Sequence, residues 1–264
     1  MPELPEVEAA RRRAERELAG QRIEQVDVAD DPVVYDQASP AAVREAVTGR
    51  VVTAARRKGK YLWLVLDRPP HPVFHFGMTG RLVIYASGTP APKYCKLALT
   101  TSSGTCAALA DPRRLGRIRL AQDPERQPPI SLLGFDALND LPSTSKLRTL
   151  LAPRRAPLKA VLLDQSFAAG VGNWVADEVL YQARLSPLRP ANDLTDKELR
   201  TLRSALRSVV RHAVSVDADA DQFPHTWLFH RRWDHRFGLS ARGERLTRQT
   251  IGGRTTTWAP DRQR

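Results

Sequence analysis

The amino-acid sequence predicts an α+β protein in which strands and helices are segregated along the chain. Three observations carry that expectation. Residues 5–19 keep an apolar spacing of three to four through Val7, Ala10, Ala14 and Leu18 and stop at Gly20, the pattern of one amphipathic helix closed by a glycine. Up to about residue 121 the chain then breaks into short β-prone runs divided by Gly, Pro and Ser turns. From about residue 143 the apolar period becomes helical. Strands followed by helices bury their apolar faces in separate layers, so an N-terminal helix plus a two-layer β-sandwich should come first and a helical unit second.

Taken in order, Pro5 and Glu6 suit the first turn of the opening helix, where a proline loses no hydrogen bond and a carboxylate meets the positive end of the dipole. Strands are expected at 22–28, 50–56, 60–66, 72–76, 80–85, 95–100, 105–109 and 115–120. Residues 122–145 are Pro-rich and aperiodic, as a linker is. Helices are expected at 143–151, 157–164, 173–184 and 195–215. The last opens on the capping box Thr195-x-x-Glu198 and aligns Leu199, Leu202, Leu206, Val209, Val210 and Ala213 on one face. Asp217-x-Asp219-x-Asp221 starts like a calcium loop, but Gln222 stands where that loop needs glycine and Leu228 where it needs glutamate, which leaves a solvated loop. Beyond it the chain is aromatic and arginine-rich: residues 221–264 hold nine arginines against four acids, a net of +5. The expected division is 1–121, a linker at 122–145, a helical domain at 146–220 and a terminal part at 221–264.

The net charge of +12 and the pI near 10.4 favour a polyanionic partner, nucleic acid first. Only seven of the 41 basic residues are lysines; a GC-rich genome explains part of the arginine excess but not the sign of the net charge. No run of about 18 apolar residues occurs and the start of the chain does not resemble a signal peptide, so a cytoplasmic protein away from membranes is expected. Cys95 and Cys106 give neither a disulfide framework nor a metal-ligand spacing; both are expected as core thiols, with no metal and no cofactor.

Six strings could carry chemistry. In Pro2-Glu3-Leu4-Pro5-Glu6-Val7-Glu8, removal of Met1 would leave Pro2 with a secondary amine, whose pKa of ~8 keeps part of it nucleophilic near neutrality. Such an amine attacks an aldehyde-like carbon to give an iminium, and Glu3 could move protons at the same centre. Read alone, the string is also an ordinary helix start. Gly170-Val171-Gly172-Asn173 offers backbone amides at a helix N-terminus, a ready phosphate site, or simply a helical hairpin. Arg56-Arg57-Lys58-Gly59-Lys60 sets a basic cluster on a tight turn, which by itself is a solvated tip. His75-Phe76-Gly77-Met78-Thr79-Gly80 and Asp111-Pro112-Arg113-Arg114-Leu115-Gly116 hold apolar and arginine side chains, the residue types that can wedge into an unstacked base step. Gly252-Gly253-Arg254-Thr255-Thr256-Thr257-Trp258 is a further string in the arginine-rich terminal part.

Together, from Pro2 to Trp258, these strings resemble the formamidopyrimidine-DNA glycosylase / endonuclease VIII family of base-excision repair enzymes. The resemblance implies two domains flanking a DNA-binding cleft, the second a helix-two-turn-helix domain with a C-terminal β-hairpin finger. It implies that Pro2 attacks the sugar C1′, Glu3 assists base release, Glu6 supports the pocket, and Lys60 binds a phosphate and completes the catalytic pocket. It places Asn173, Arg114, Arg254 and Lys159 on the phosphate backbone. It sends Met78 and Arg113 into the space vacated by an extruded base, with Leu115 beside them. Two departures matter. Leu115 stands where phenylalanine is commoner, and no cysteine follows Cys106, so the usual zinc finger is replaced by a hairpin similar to the zincless finger of plant and animal members, braced by Trp227, Phe229, Trp233 and Trp258. The implied activity is a bifunctional DNA glycosylase/AP lyase acting as a monomer on double-stranded DNA with damaged bases or abasic sites, by β,δ-elimination. Oxidised purines such as formamidopyrimidine are favoured; a short 216–224 segment leaves 8-oxoguanine itself open. An endonuclease VIII-like enzyme for oxidised pyrimidines and a non-catalytic damaged-DNA binder are the rivals.

Overall fold

The computed structural model describes residues 2–232 and 238–264. The chain forms two compact units, one of Pro2 with Glu6–Leu132 and one of Glu3–Pro5 with Leu133–Arg264.

In the first unit the opening helix, α1 (Leu4–Leu18), turns Val7, Ala14 and Leu18 inward as its spacing requires. Two four-stranded antiparallel sheets share the same core. One runs in the order β1-β6-β7-β5, where β1 is Ile23–Val28, β5 Arg81–Ala86, β6 Cys95–Thr101 and β7 Thr105–Ala110; the other runs β2-β3-β4-β8, with β2 Val52–Lys58, β3 Tyr61–Leu66, β4 His71–His75 and β8 Arg117–Ala121. Leu62, Leu64 and Leu66 of one sheet and Leu97 and Leu99 of the other point into that core at every second position. The sandwich is therefore as expected. One element is additional: a second helix, α2 (Pro40–Val47), started by Ser39, whose side chain accepts from the Ala42 amide at 3.1 Å. With only Val43 and Val47 buried it is too short to show a helical period in the sequence.

The second unit is built on α5 (Asn173–Ala183), nine of whose eleven residues are buried. Around it lie α3 (Thr144–Leu151), α4 (Leu158–Leu163), α6 (Asp196–Ser215), and a short parallel pair, β9 (Phe135–Asp136) with β10 (Ala168–Ala169). The six apolar residues picked out on α6 are all buried, and its capping box forms: Thr195 Oγ1 accepts from the Glu198 amide at 3.3 Å while the Glu198 carboxylate accepts from the Thr195 amide at 2.8 Å. Leu4 is fully buried in this unit's core. The chain closes on a hairpin, β11 (Thr247–Ile251) and β12 (Arg254–Trp258), whose loop is Gly252-Gly253. Both glycines have positive φ, +59° and +71°, the requirement of a type I′ turn that matches the twist of its strands. Among the described residues no helix is long and apolar enough to cross a membrane.

Candidate nucleic-acid interface and active site

Within the second unit, Glu3 is seated on the N-terminus of α5. Its carboxylate oxygens accept from the Trp174 amide at 2.9 Å and the Val175 amide at 3.1 Å, and only 2 % of the residue is exposed. The first amides of any helix lack internal partners, and the residue preceding α5, Gly172, has no side chain to cap them. Glu3 supplies the missing acceptor and places its negative charge at the positive end of the dipole. Two glycines make room. A Cβ on Gly172 would lie 2.2 Å from Glu3 Cδ, and one on Gly170 would lie 2.6 Å from Leu4 Cδ1. The Leu4 amide donates to the Gly170 carbonyl at 3.0 Å. The glycine string therefore shapes itself around the first residues of the chain. Gln165 braces the same turn from the other side, accepting from the Gly170 amide at 3.1 Å and donating to the Val171 carbonyl at 2.8 Å.

Asn173 begins α5 and donates from Nδ2 to the Thr255 carbonyl of β12 at 2.9 Å, which ties the glycine turn to the terminal hairpin. Arg254, the first residue of β12, is exposed, and the turn preceding it rests on α4: a Cβ on Gly252 would meet Ala160 at 3.1 Å. Lys159 is placed differently from the phosphate role implied by the resemblance. It is fully buried and paired with Asp177, which also accepts from Arg232 at 2.7 Å and from the Thr257 amide at 3.3 Å. Burial pulls the Lys159 ammonium below its ordinary value, against the pull of Asp177. Glu178 is also fully buried, accepting from the Phe229 amide at 2.9 Å and from Gln182 at 2.6 Å; burial pushes its carboxyl up to about 7. Trp227 and Phe229 pack with Trp174 and Phe223 as core. Trp258 is half-buried, and Trp233 lies outside the described residues.

In the first unit, Pro2 is half-buried two residues ahead of α1, and Glu6 is half-buried in the first turn of that helix. The basic cluster 56–60 is not a solvated tip. Arg56 is outside, 3.0 Å from Glu125, while Arg57 is buried against Glu8 at 2.9 Å. Lys60 occupies the two-residue turn between β2 and β3 with 9 % of its surface exposed. The loops at 75–80 and 111–116 are joined by Asp111, fully buried, which accepts from the Thr79 hydroxyl at 2.7 Å, the Gly116 amide at 2.6 Å and the Arg113 amide at 3.2 Å. Burial pushes this carboxyl up, but those donors prevail and hold it below the usual value. Gly77, at φ +59°, lies where a Cβ would come within 2.4 Å of the Leu115 carbonyl, so the two loops meet backbone to backbone. Met78 and Leu115 are each 37 % exposed, and Arg113 is exposed with them. Arg114 forks onto Asp31 through bonds of 2.9–3.1 Å, so a phosphate would have to compete with that carboxylate. At the base of the first loop His75 accepts from the Gly77 amide at 3.2 Å; burial, then the charges of Lys60, Arg117 and Arg119, lower it to about 4 and keep it neutral.

Comparison with known proteins agrees with this architecture. The family model of the formamidopyrimidine-DNA glycosylase N-terminal domain matches residues 1–118, and that of the formamidopyrimidine-DNA glycosylase H2TH domain matches 133–224. A formamidopyrimidine-DNA glycosylase of Arabidopsis thaliana is 40 % identical over 279 residues, covering 100 % of this chain and 71 % of its own length. One from Thermus thermophilus is 37 % identical over 273 residues, covering 98 % of this chain and 97 % of its own. Among solved structures, MutM in complex with DNA containing carbocyclic 8-oxo-G superposes with a TM-score of 0.87 at 24 % identity over 100 % of both chains. The Lactococcus lactis Fpg complex with Fapy-dG-containing DNA gives 0.86 at 23 % identity over 99 % of this chain and 100 % of that one. At such identities the structural likeness speaks for the fold.

Two outcomes are expected from this geometry. Gly172→Ala adds a methyl group where the Glu3 carboxylate lies, at a φ of −122° that any residue adopts, so the cost is steric alone. It should lower stability by about 1–3 kcal/mol in denaturant unfolding and lower base excision with it. Because the folded value of His75 is about 4 and its ordinary value 6.5, the unfolded chain binds the proton first; stability should rise with pH through that window and be lost as pH falls across it. Unfolding midpoints measured across this range should show a shallower slope in His75→Gln.

Proposed function

This chain belongs to the formamidopyrimidine-DNA glycosylase family, and we propose that it is a bifunctional DNA glycosylase/AP lyase of base-excision repair that removes oxidised purines. Its partner is DNA carrying damaged bases or abasic sites, and its place is inside the cell with that DNA. The observation that carries this reading is the fixed Glu3 carboxylate, held by two α5 amides one residue after Pro2. A chain start is ordinarily frayed; a nucleophile at that start needs such an anchor.

With Met1 removed, the Pro2 ring nitrogen attacks C1′, the new N–C bond forming as the bond to the damaged base breaks. Glu3 moves the proton that opens the sugar ring, which yields the iminium. Loss of a C2′ proton then expels the 3′ phosphate, and a second elimination expels the 5′ phosphate. Lys60 holds a phosphate at this centre, and Glu6 supports the N-terminal turn. Met78, Arg113 and Leu115 fill the gap left by the extruded base. Asn173 and Arg254 hold the strand, and Arg114 reaches it by exchanging Asp31 for phosphate. Lys159 we assign to the buried pair with Asp177 rather than to phosphate. The working parts are 1–121 for chemistry, 146–220 for the helix-two-turn-helix and 221–264 for the finger, joined by 122–145.

Borohydride trapping on abasic-site DNA, with a panel of lesion duplexes, tests the assignment: a covalent adduct through Pro2 is expected, and a chain that binds without cross-linking would be a damaged-DNA binder. Pro2→Gly should reduce strand nicking far more than it reduces salt-sensitive binding; equal loss of both removes Pro2 as the nucleophile. Arg254→Ala should weaken binding to all sequences and flatten the salt dependence by about one phosphate contact, a change of ~0.9 in the log–log slope.

A further inference from the structure

Successive residues of a strand face opposite sides, and β2 obeys this through Ala55 inside, Arg56 outside and Arg57 inside. An arginine on the inner face is costly unless fully paired. Arg57, whose side chain is completely buried, is paired with a carboxylate and with a backbone carbonyl. Nε donates to Glu8 Oε2 of α1 at 2.9 Å, and Nη1 donates to the Gly59 carbonyl at 2.9 Å. Glu8 is fixed in turn by Arg11, with bonds of 3.0 Å from Nε and Nη2, and by Arg12 at 3.4 Å. Those contacts outweigh burial and hold the Glu8 carboxyl below its usual value, so it stays charged at neutral pH.

The Gly59 carbonyl belongs to the peptide unit that leads into Lys60, within a turn of only two residues. Gly59 has φ +58°, a left-handed conformation, and Lys60 does not, the pattern of a type II′ turn. Fixing that one carbonyl fixes the orientation of the peptide from which the Lys60 side chain departs. The other end of the linkage is the helix that Pro2 precedes. Arg57 has no route to solvent and lies outside the DNA-contacting roles assigned above.

We propose that Arg57, locked by Glu8, is a positioning residue: it aligns the Lys60 turn with the helix that carries Pro2, and acts on the reaction through Lys60. This rests on the glycosylase/lyase reading. A lysine at position 57 keeps a cation for Glu8 but lacks the planar fork needed to hold the Gly59 carbonyl as well. Glu8→Gln keeps an acceptor and removes the charge.

The experiment is a double-mutant cycle read by single-turnover borohydride trapping on abasic-site duplex, with duplex affinity and thermal unfolding of each variant alongside. Arg57→Lys should slow trapping by on the order of a hundredfold while the dissociation constant rises by no more than it does in Lys60→Ala. Glu8→Gln should slow it in the same direction. In a Lys60→Ala background, Arg57→Lys should add no further loss, because its effect passes through the missing side chain. An equal loss with and without Lys60, or trapping and binding falling in parallel with the melting temperature, would overturn the assignment. A wild-type chain that forms no adduct at all would instead overturn the reading beneath it.

Discussion

One carboxylate at a helix start constrains the rest: Glu3 on the amides of Trp174 and Val175. Helix α5 is buried almost throughout, so its unsatisfied first amides cannot be left to water. Gly172 cannot serve them. Glu3, 169 positions earlier in the sequence, can, and once it does, Leu4 enters the core of the same unit and the Gly170–Gly172 turn must stay free of side chains. Satisfying a helix cap thus also fixes the beginning of the chain, the part of a protein that most often frays.

The same economy of acids recurs in a chain of net charge +12. Asp111 gathers amides and a hydroxyl from the loops that expose Met78, Arg113 and Leu115. Asp177 gathers Lys159, Arg232 and the β12 backbone beneath the strand that exposes Arg254. Glu8 gathers Arg57 under the turn of Lys60. In each case a buried carboxylate organises backbone donors or cations from below. Such pairs are weak contributors to net stability but costly to break one-sidedly, which suits parts that must hold a shape.

Much of this was legible in the sequence, and its gaps have physical causes. The eight strands and five helices of the expectation all form, because apolar period, turn residues and caps are local signals. Helix α2 escaped because two buried valines cannot establish a period. The cluster 56–60 looks uniformly basic in one dimension, yet strand alternation sends Arg56 to solvent and Arg57 inside, and nothing local reveals that Glu8 waits there. Lys159 shows the same limit: a lysine between apolar neighbours announces a cation but not that Asp177 will enclose it. The glycines at 170 and 172 were visible as backbone approach points; that their closest neighbours are Leu4 and Glu3 is a fact of tertiary contact.

The closing hairpin turns on two glycines and is braced by Asn173, Asp177 and the side of α4, and no cysteine follows Cys106. A finger gripped by thiolates would be vulnerable to peroxide, since oxidising the sulfur releases the grip. Here the sulfur lies elsewhere: Cys106 is enclosed, and burial raises the Cys95 thiol and so keeps it in its less reactive protonated form. The terminal part of the chain therefore offers an oxidant no sulfur to attack.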